Sequence, residues 1–439
     1  VSSDEGAGRP LRSSREQQDF QAGNAALLKW ARRSLRRISL DSDDLSDLKP
    51  LRAAIGQACV VSLGEGLHGS AEPLAFRNRL FRFLVEKMGF TAIAIESGLT
   101  ASYAAAEFVA GGRGDAQSIA KAAITSGLGG FPQQAELLDW MRDYNAAGGR
   151  GRKIGFFGID LESNLSDPGS PLDISLGFLD EVDGAFAADL RRRLTSRRNF
   201  LKIDRMIDRP DHYAHLPQAD RDAVTAAISD MVNHFQVNEG GFAAATNEAR
   251  YAAACRAAVG AWQGDQYLRQ FPFGWTPNDP PVLGAVAVAD RAKADNLAWV
   301  LSRQGDAGRI LLFAHLGHVS RSPVSIRLGP SGDIPLPSMM GEYLQRSYGP
   351  RLVTIGHFLA TDLTEFFPSR PQAADDSLEG VLARAADGAY LLDIRRAPPA
   401  VRRRLEAVHG LFGQLPVHSL RPYHSVDMIL FTPKITSAL

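Results

Sequence analysis

ACVVSLGEGLHGSAEPLAFRNRLFRFLVEKMGFTAIAIES, residues 58–97, reads as a strand, a turn, a helix and a second strand. Ala58 to Leu63 is a short apolar run, and Thr91 to Ile95 repeats it. Between them, Pro73 falls in the first turn of a helical pattern and Gly89 just past its last turn, where those residues start and stop helices. Leu74, Phe81, Leu84 and Met88 recur at helical spacing and give the helix one apolar stripe. Two short strands joined by a crossover helix are the unit of a parallel sheet, so the stretch predicts an α/β protein.

Five further runs of the same kind follow, at Lys153–Gly158, Arg309–Ala314, Arg351–Leu359, Ala389–Ile394 and Asp427–Thr432. Most are flanked by helical patterns, which extends the reading to a mostly parallel central sheet flanked by helices. The stretch between the third and fourth runs is almost wholly helical, as in ADRDAVTAAISDMVNHF (219–235) and NEARYAAACRAAVGAWQ (247–263). The expected division is therefore a tail and first helix over 1–50, two parts of an α/β core at 51–160 and 284–439, and a helical insertion over 161–283. QFPFGWTPNDPPVL (270–283) closes the insertion. Its prolines and Gly274 exclude regular helix or central strand. A linker is the plain reading, and a pocket-lining loop carrying Phe271, Phe273 and Trp275 the sharper one.

The 439 residues suffice for a large core, with 45% hydrophobic and 22% charged residues in ordinary globular proportion. Lys and Arg number 49 against 49 Asp and Glu, so no nucleic-acid partner is expected. The basic runs Arg191–Arg193 with Arg197–Arg198, and Arg402–Arg404, sit in helical contexts and read as solvated faces. No run approaches about 18 consecutive apolar residues, so no membrane span is expected. Cys59 and Cys255 stand far apart in apolar or Ala-rich surroundings, outside any C-x-x-C spacing, and read as small buried hydrophobes. The polar start VSSDEGAGRPLRSSREQQ has no apolar core of a signal peptide, and a cytoplasmic location is the expectation. Because the first residue is Val, a segment removed upstream stays open.

The ionisable residues gather at one end of the expected strands. Glu65 and His68 follow the first, Glu96 the second, Asp160 the third, and His315 with His318 the fourth. In parallel sheets ligands bind outside the carboxyl ends of the strands. Arg77 adds a second anomaly, since it lies on the apolar stripe between Leu74 and Phe81. A guanidinium there must snorkel to water or pair with a carboxylate, Glu65 and Glu96 being nearest in the topology. An imidazole beside a carboxylate is equipped to take a proton from water near neutral pH. No G-x-S-x-G elbow occurs, and neither cysteine adjoins the cluster, which leaves an activated water. His212, His215, His234, His409 and His418 have no converging partners in the pattern, whereas His357 and His424 flank late strands.

Gly64-Glu65-Gly66-Leu67-His68-Gly69 resembles the Gly-Glu-x-x-His-Gly motif of the erythromycin esterase family. The similarity continues through Glu72, Arg77, IAIES with Glu96, WMRDYN, FFGIDLE, ADNLAWVL, FAHLGH, LLDIR and VDMILF, over about residues 55–435. The resemblance implies that His68 acts as general base on water, with Glu65 or Glu96 orienting it. It further implies that His315 polarises the ester carbonyl or protonates the leaving alkoxide, and that Arg77 holds the acidic cluster and the developing charge. Leu316 stands where the family usually has Asn, which favours a substrate other than a macrolide or a non-hydrolytic reaction.

The expected substrate is a small molecule, a large apolar ester or lactone such as a macrolide or other polyketide. His318, Asp160, Trp275 and Phe273 are the expected substrate contacts. No cofactor and no metal are expected, because Arg77 would oppose a cation. A zinc-activated water using two histidines and two carboxylates is the rival within the enzyme class. A rearrangement or cyclisation by the same base, or a non-catalytic binding protein on the same scaffold, are the other readings.

Overall fold

The computed structural model describes residues 13–148, 152–161, 170–197, 210–276, 279–327, 333–364, 372–408 and 417–438. Arg198 and His409 lie outside them. The main sheet contains β1 (Arg36–Arg37), β2 (Val60–Glu65), β3 (Ala92–Gly98), β4 (Gly155–Asp160), β5 (Ile310–His315), β8 (Leu352–Asp362), β9 (Tyr390–Asp393) and β11 (Met428–Ile435). A small second sheet contains β6 (Ser325–Arg327), β7 (Asp333–Pro335) and β10 (Val417–Ser419). Every strand expected from the sequence is present, each shifted by a few residues at most.

The order across the main sheet is β1-β9-β11-β8-β2-β5-β3-β4. From β11 to β4 every neighbouring pair is parallel, while β9 joins β11 and β1 joins β9 antiparallel. Side chains alternate between faces along each strand. In β5, Ile310, Leu312 and Ala314 join one apolar layer and Leu311 and Phe313 the other. Helices cover both layers, so nearly every residue of the central strands is buried. Between β4 and β5 the helices Pro171–Val182, Gly184–Leu194, Gln218–Val237, Glu239–Ala245 and Glu248–Leu268 surround a separate core that includes Leu176, Leu190, Ile228, Met231 and Phe235.

The topology opens a crevice at one place. After β2 the chain enters the helix Ala71–Met88, whose Leu74, Phe76, Leu80 and Phe81 pack with Leu63 and Phe313. After β5 it enters the short helix Leu316–Val319 and then Met340–Tyr348, which pack on the opposite face with Ala314. Adjacent strands thus send the chain to opposite sides, and the loops part at their carboxyl ends. Glu65 and His315 end these two strands and are Cα partners in the β2/β5 register. Gly64 lets the short helix lie across β2, since a Cβ there would stand 2.6 Å from Cγ2 of Val319 and 2.9 Å from Cα of Leu316. Among the described residues, no helix is long and apolar enough to cross a membrane.

Candidate active site

The turn after β2, closed by Gly69 at a φ of 75°, brings the Glu65 and His68 side chains together. His68 Nδ1 lies 2.7 Å from Glu65 Oε1; the Glu65 side chain is buried, and the His68 side chain is 41% exposed. Desolvation resists a charge on the ring, but the Glu65 hydrogen bond and the carboxylates of Glu65 and Glu96 outweigh it and raise the His68 pKa to about 9. Its Nδ1 is fixed by Glu65, and Nε2 is left to face a ligand.

His315 is held in the opposite state. Its Nδ1 accepts from the N–H of Gly317 at 3.2 Å, which places the proton on Nε2, where the Gly66 carbonyl lies at 3.3 Å. Burial, helped by the His68 charge, pushes its pKa down to about 3. The ring is neutral at pH 7, and its centroid lies 5.2 Å from that of His68.

Glu96 stands at the junction between the histidines. Its Oε2 accepts the His315 main-chain N–H at 2.7 Å, and its Oε1 lies 3.1 Å from His318 Nε2. Both oxygens are therefore committed, and the carboxylate that orients His68 is Glu65. His318 Nδ1 faces Asp290 Oδ1 at 2.8 Å and Oδ2 at 3.0 Å. Burial opposes its charge, yet Asp290 and Glu96 raise its pKa to about 10. Asp160 pairs with the buried Lys293 at 2.8 Å and also accepts the N–H of Leu161. Of the residues expected as substrate contacts, His318 thus has both ring nitrogens engaged within the protein, whereas Asp160 uses Oδ1 for both contacts and its side chain is 24% exposed.

Arg77 is fully buried on the helix Ala71–Met88, as its place on the apolar stripe requires. Its partners differ from those expected. Nη1 donates to Gln134 Oε1 at 2.8 Å, Nη2 to Asn78 Oδ1 at 2.8 Å and to the Gln133 carbonyl at 3.2 Å, and Nε to Asn78 Oδ1 at 3.1 Å. Phe313 lies against the guanidinium at 5.0 Å. These are neutral groups, and desolvation lowers the Arg77 pKa to about 10 even though the charges of Glu65 and Glu136 support it. A cavity of about 20 Å³ lies between Arg77, Gln134, Glu65, Glu96, His68 and Phe131. It has room for a water. Glu65 Oε2 is buried there without a hydrogen bond among the described residues.

Phe273 is 71% exposed and packs beside His215 at 4.5 Å. Trp275 donates to the Pro280 carbonyl and, edge to face, meets the buried Phe271, which in turn meets Tyr267. Part of that loop, residues 277 and 278, lies outside the described residues. His357 is buried within the sheet, with Nε2 at 2.7 Å from Thr432 Oγ1. Cys59 is buried and Cys255 partly buried, both as free thiols. Among the described residues no group of three or more His, Cys, Asp and Glu side chains is arranged to hold a metal ion.

Asp290 and Lys293 were not among the expected site residues. Both lie on the helix Leu283–Ser302, with Asn296 one turn further on, and all three are buried. A polar set at i, i+3 and i+6 sharing a face with Leu297 and Val300 is the same kind of signal that marks Arg77. The Ala-rich surroundings of this helix dilute the apolar stripe and hide it.

This geometry can be set beside known proteins. Over 131 residues the chain is 34% identical to erythromycin esterase type II of Escherichia coli, and over 123 residues 31% identical to erythromycin esterase type I of the same organism. These stretches are 29% and 28% of this chain and 29% of each relative. The fold is shared with a Bacillus cereus protein (TM-score 0.77, 19% identity, 94% of this chain and 98% of that one) and with a succinoglycan biosynthesis protein (0.75, 21%, 95% and 98%). It is shared also with a histidine-to-asparagine mutant of the erythromycin esterase EreC in its open conformation (0.65, 18%, 92% and 98%). The profile of the erythromycin esterase family matches residues 85–434, which include Glu96, Asp160, His315 and His318 and begin after Glu65, His68 and Arg77. With four-fifths of its length inside that match, the chain belongs to the erythromycin esterase family.

Proposed function

We propose that this protein hydrolyses an ester or lactone of a large apolar small molecule, a macrolide or another polyketide, with His68 as general base. The observation that carries the reading is the Glu65–His68 pair, a half-exposed imidazole whose Nδ1 is fixed at 2.7 Å by a buried carboxylate. In the neutral ring, Nδ1–H points at Glu65 and Nε2 takes a proton from water as the water oxygen attacks the ester carbonyl. The tetrahedral oxyanion collapses, the C–O bond to the alcohol breaks, and His68 returns the proton to the leaving alkoxide. His315 is neutral, so its Nε2–H, on turning from the Gly66 carbonyl to the substrate, serves by polarising the ester carbonyl rather than as a strong acid. Arg77 favours the ionised form of Glu65, the carboxylate that orients His68. The exposed Phe273 and the neighbouring Trp275 suit an apolar substrate body.

A second reading, a rearrangement or cyclisation by the same histidine, is favoured by Leu316 in place of the family's Asn. Incubating the chain with a macrolide lactone and weighing the product separates the two. Hydrolysis adds one water, an isomerisation adds nothing, and the His68→Gln variant should give neither. If the lactone is recovered unchanged across a panel of macrolides and simple esters, the esterase reading fails.

A further inference from the structure

We propose that Asp290 is a positioning residue that keeps His318 a permanent cation against the opposing charge of Lys293, its neighbour on the same helix, and, through Glu96, fixes the main chain at His315; its effect on catalysis rests on the esterase reading. Asp290 and Lys293 stand one helical turn apart on Leu283–Ser302 with their buried side chains turned to the same crevice. Asp290 grips His318 Nδ1 with both oxygens and accepts the Met340 N–H at 2.8 Å, so its orientation is set from two elements. Each ring nitrogen of His318 faces a carboxylate, and a neutral imidazole has only one N–H to give. Geometry alone therefore calls for the doubly protonated ring. Glu96, held by that ring through Oε1, presents Oε2 to the His315 N–H at 2.7 Å. The order of support runs Asp290, His318, Glu96, His315.

Lys293 pairs with Asp160 at 2.8 Å; its charge opposes the one on His318 but favours the ionised forms of Asp290 and Glu96, which hold the ring. The charged and titratable groups facing His318 are Asp290 and Lys293 from the long helix, Glu96 from β3, His315 from the end of β5 and His68 from the loop after β2. Neither Asp290 nor Lys293 touches a reacting atom in this account.

The test is a titration of the full chain carrying ¹⁵N-labelled histidine, with His318 assigned from the His318→Gln variant, in parallel with pH–rate profiles. In the wild type both His318 nitrogens should stay protonated through about pH 9. In Asp290→Asn the ring should lose a proton between about pH 6 and 8, and kcat should fall about tenfold above that transition while KM changes less than about threefold. Asp290→Glu should restore the cation and most of kcat. A wild-type His318 that titrates below about pH 8 overturns the proposal even if Asp290→Asn does not fold. So does an Asp290→Asn protein with unchanged ring shifts and unchanged kcat. Because the ring titration needs no substrate, a stable His318 cation in a chain without esterase activity would refute the esterase reading and leave the clamp standing.

Discussion

The Glu65–His68 pair and the Asp290–His318–Glu96 set use the same two residue types in the same crevice, yet they are built for opposite ends. Among the described residues, His68 has one nitrogen fixed and one open, a half-exposed ring, and a partner carboxylate whose second oxygen makes no hydrogen bond. His318 has both nitrogens captured, and Asp290 has no exposed surface. A proton can enter and leave the first ring at little structural cost. Removing one from the second would leave two buried carboxylates sharing a single ring N–H. The comparison teaches that a histidine beside a carboxylate marks proton transfer only where one nitrogen remains open to a ligand.

The largest effect that can break this comparison is at His68. His68→Gln keeps a side chain of similar size and should lower kcat by about 10² to 10⁴-fold with the fold intact, the melting temperature falling modestly at neutral pH because Glu65 loses its cation. Retention of more than a few per cent of activity would remove His68 from the chemistry. Next comes Arg77, whose charge is buried among amides. Arg77→Ala should cost about 3 to 5 kcal/mol in denaturant unfolding as well as activity, from the cavity and the amide oxygens left without a donor, and Arg77→Lys should recover only part, because an ammonium cannot reach Gln134, Asn78 and the Gln133 carbonyl together. Unchanged stability and rate in the alanine variant would contradict the buried position.

Glu65→Gln sharpens the comparison through pH. The amide can still accept from Nδ1–H but no longer favours the imidazolium, so the ionisation seen in kcat/KM should fall by about two pH units toward the ordinary histidine value. The smallest effect is expected in the loop: Phe273→Ser should raise KM by about fivefold, the loss of part of one phenyl contact, with kcat nearly constant. Exhaustive chelation should change nothing, as followed by activity and by elemental analysis. Activity lost to a chelator and restored by one equivalent of metal would make His68 a ligand and not a base.

The sheet was readable because each central strand is a run of several apolar residues bounded by turns or helices. β1, β6, β7 and β10 were not, since two or three residues carry no period. Arg77 was readable as an anomaly on an apolar stripe, but its partners were not. Gln133 and Gln134 lie on a different helix more than fifty positions away, and nothing local in the sequence ties an amide to a guanidinium. The likeness of the residue types also concealed which carboxylate serves which histidine. That assignment depends on strand alternation and on the turn after β2, which places Glu65 under His68 and leaves Glu96 to the two later histidines.

The most direct test of the central claim, that His68 is the proton acceptor, is the pH dependence of kcat/KM on an ester that the chain hydrolyses. The free enzyme holds His68 protonated, with a pKa of about 9, so only the minor neutral form can accept a proton from water. The account predicts that kcat/KM rises about tenfold per pH unit from neutrality and levels near pH 9, and that Glu65→Gln moves the break downward. A profile that is flat from about pH 6 to 9, or one that falls as His68 loses its proton, would contradict it.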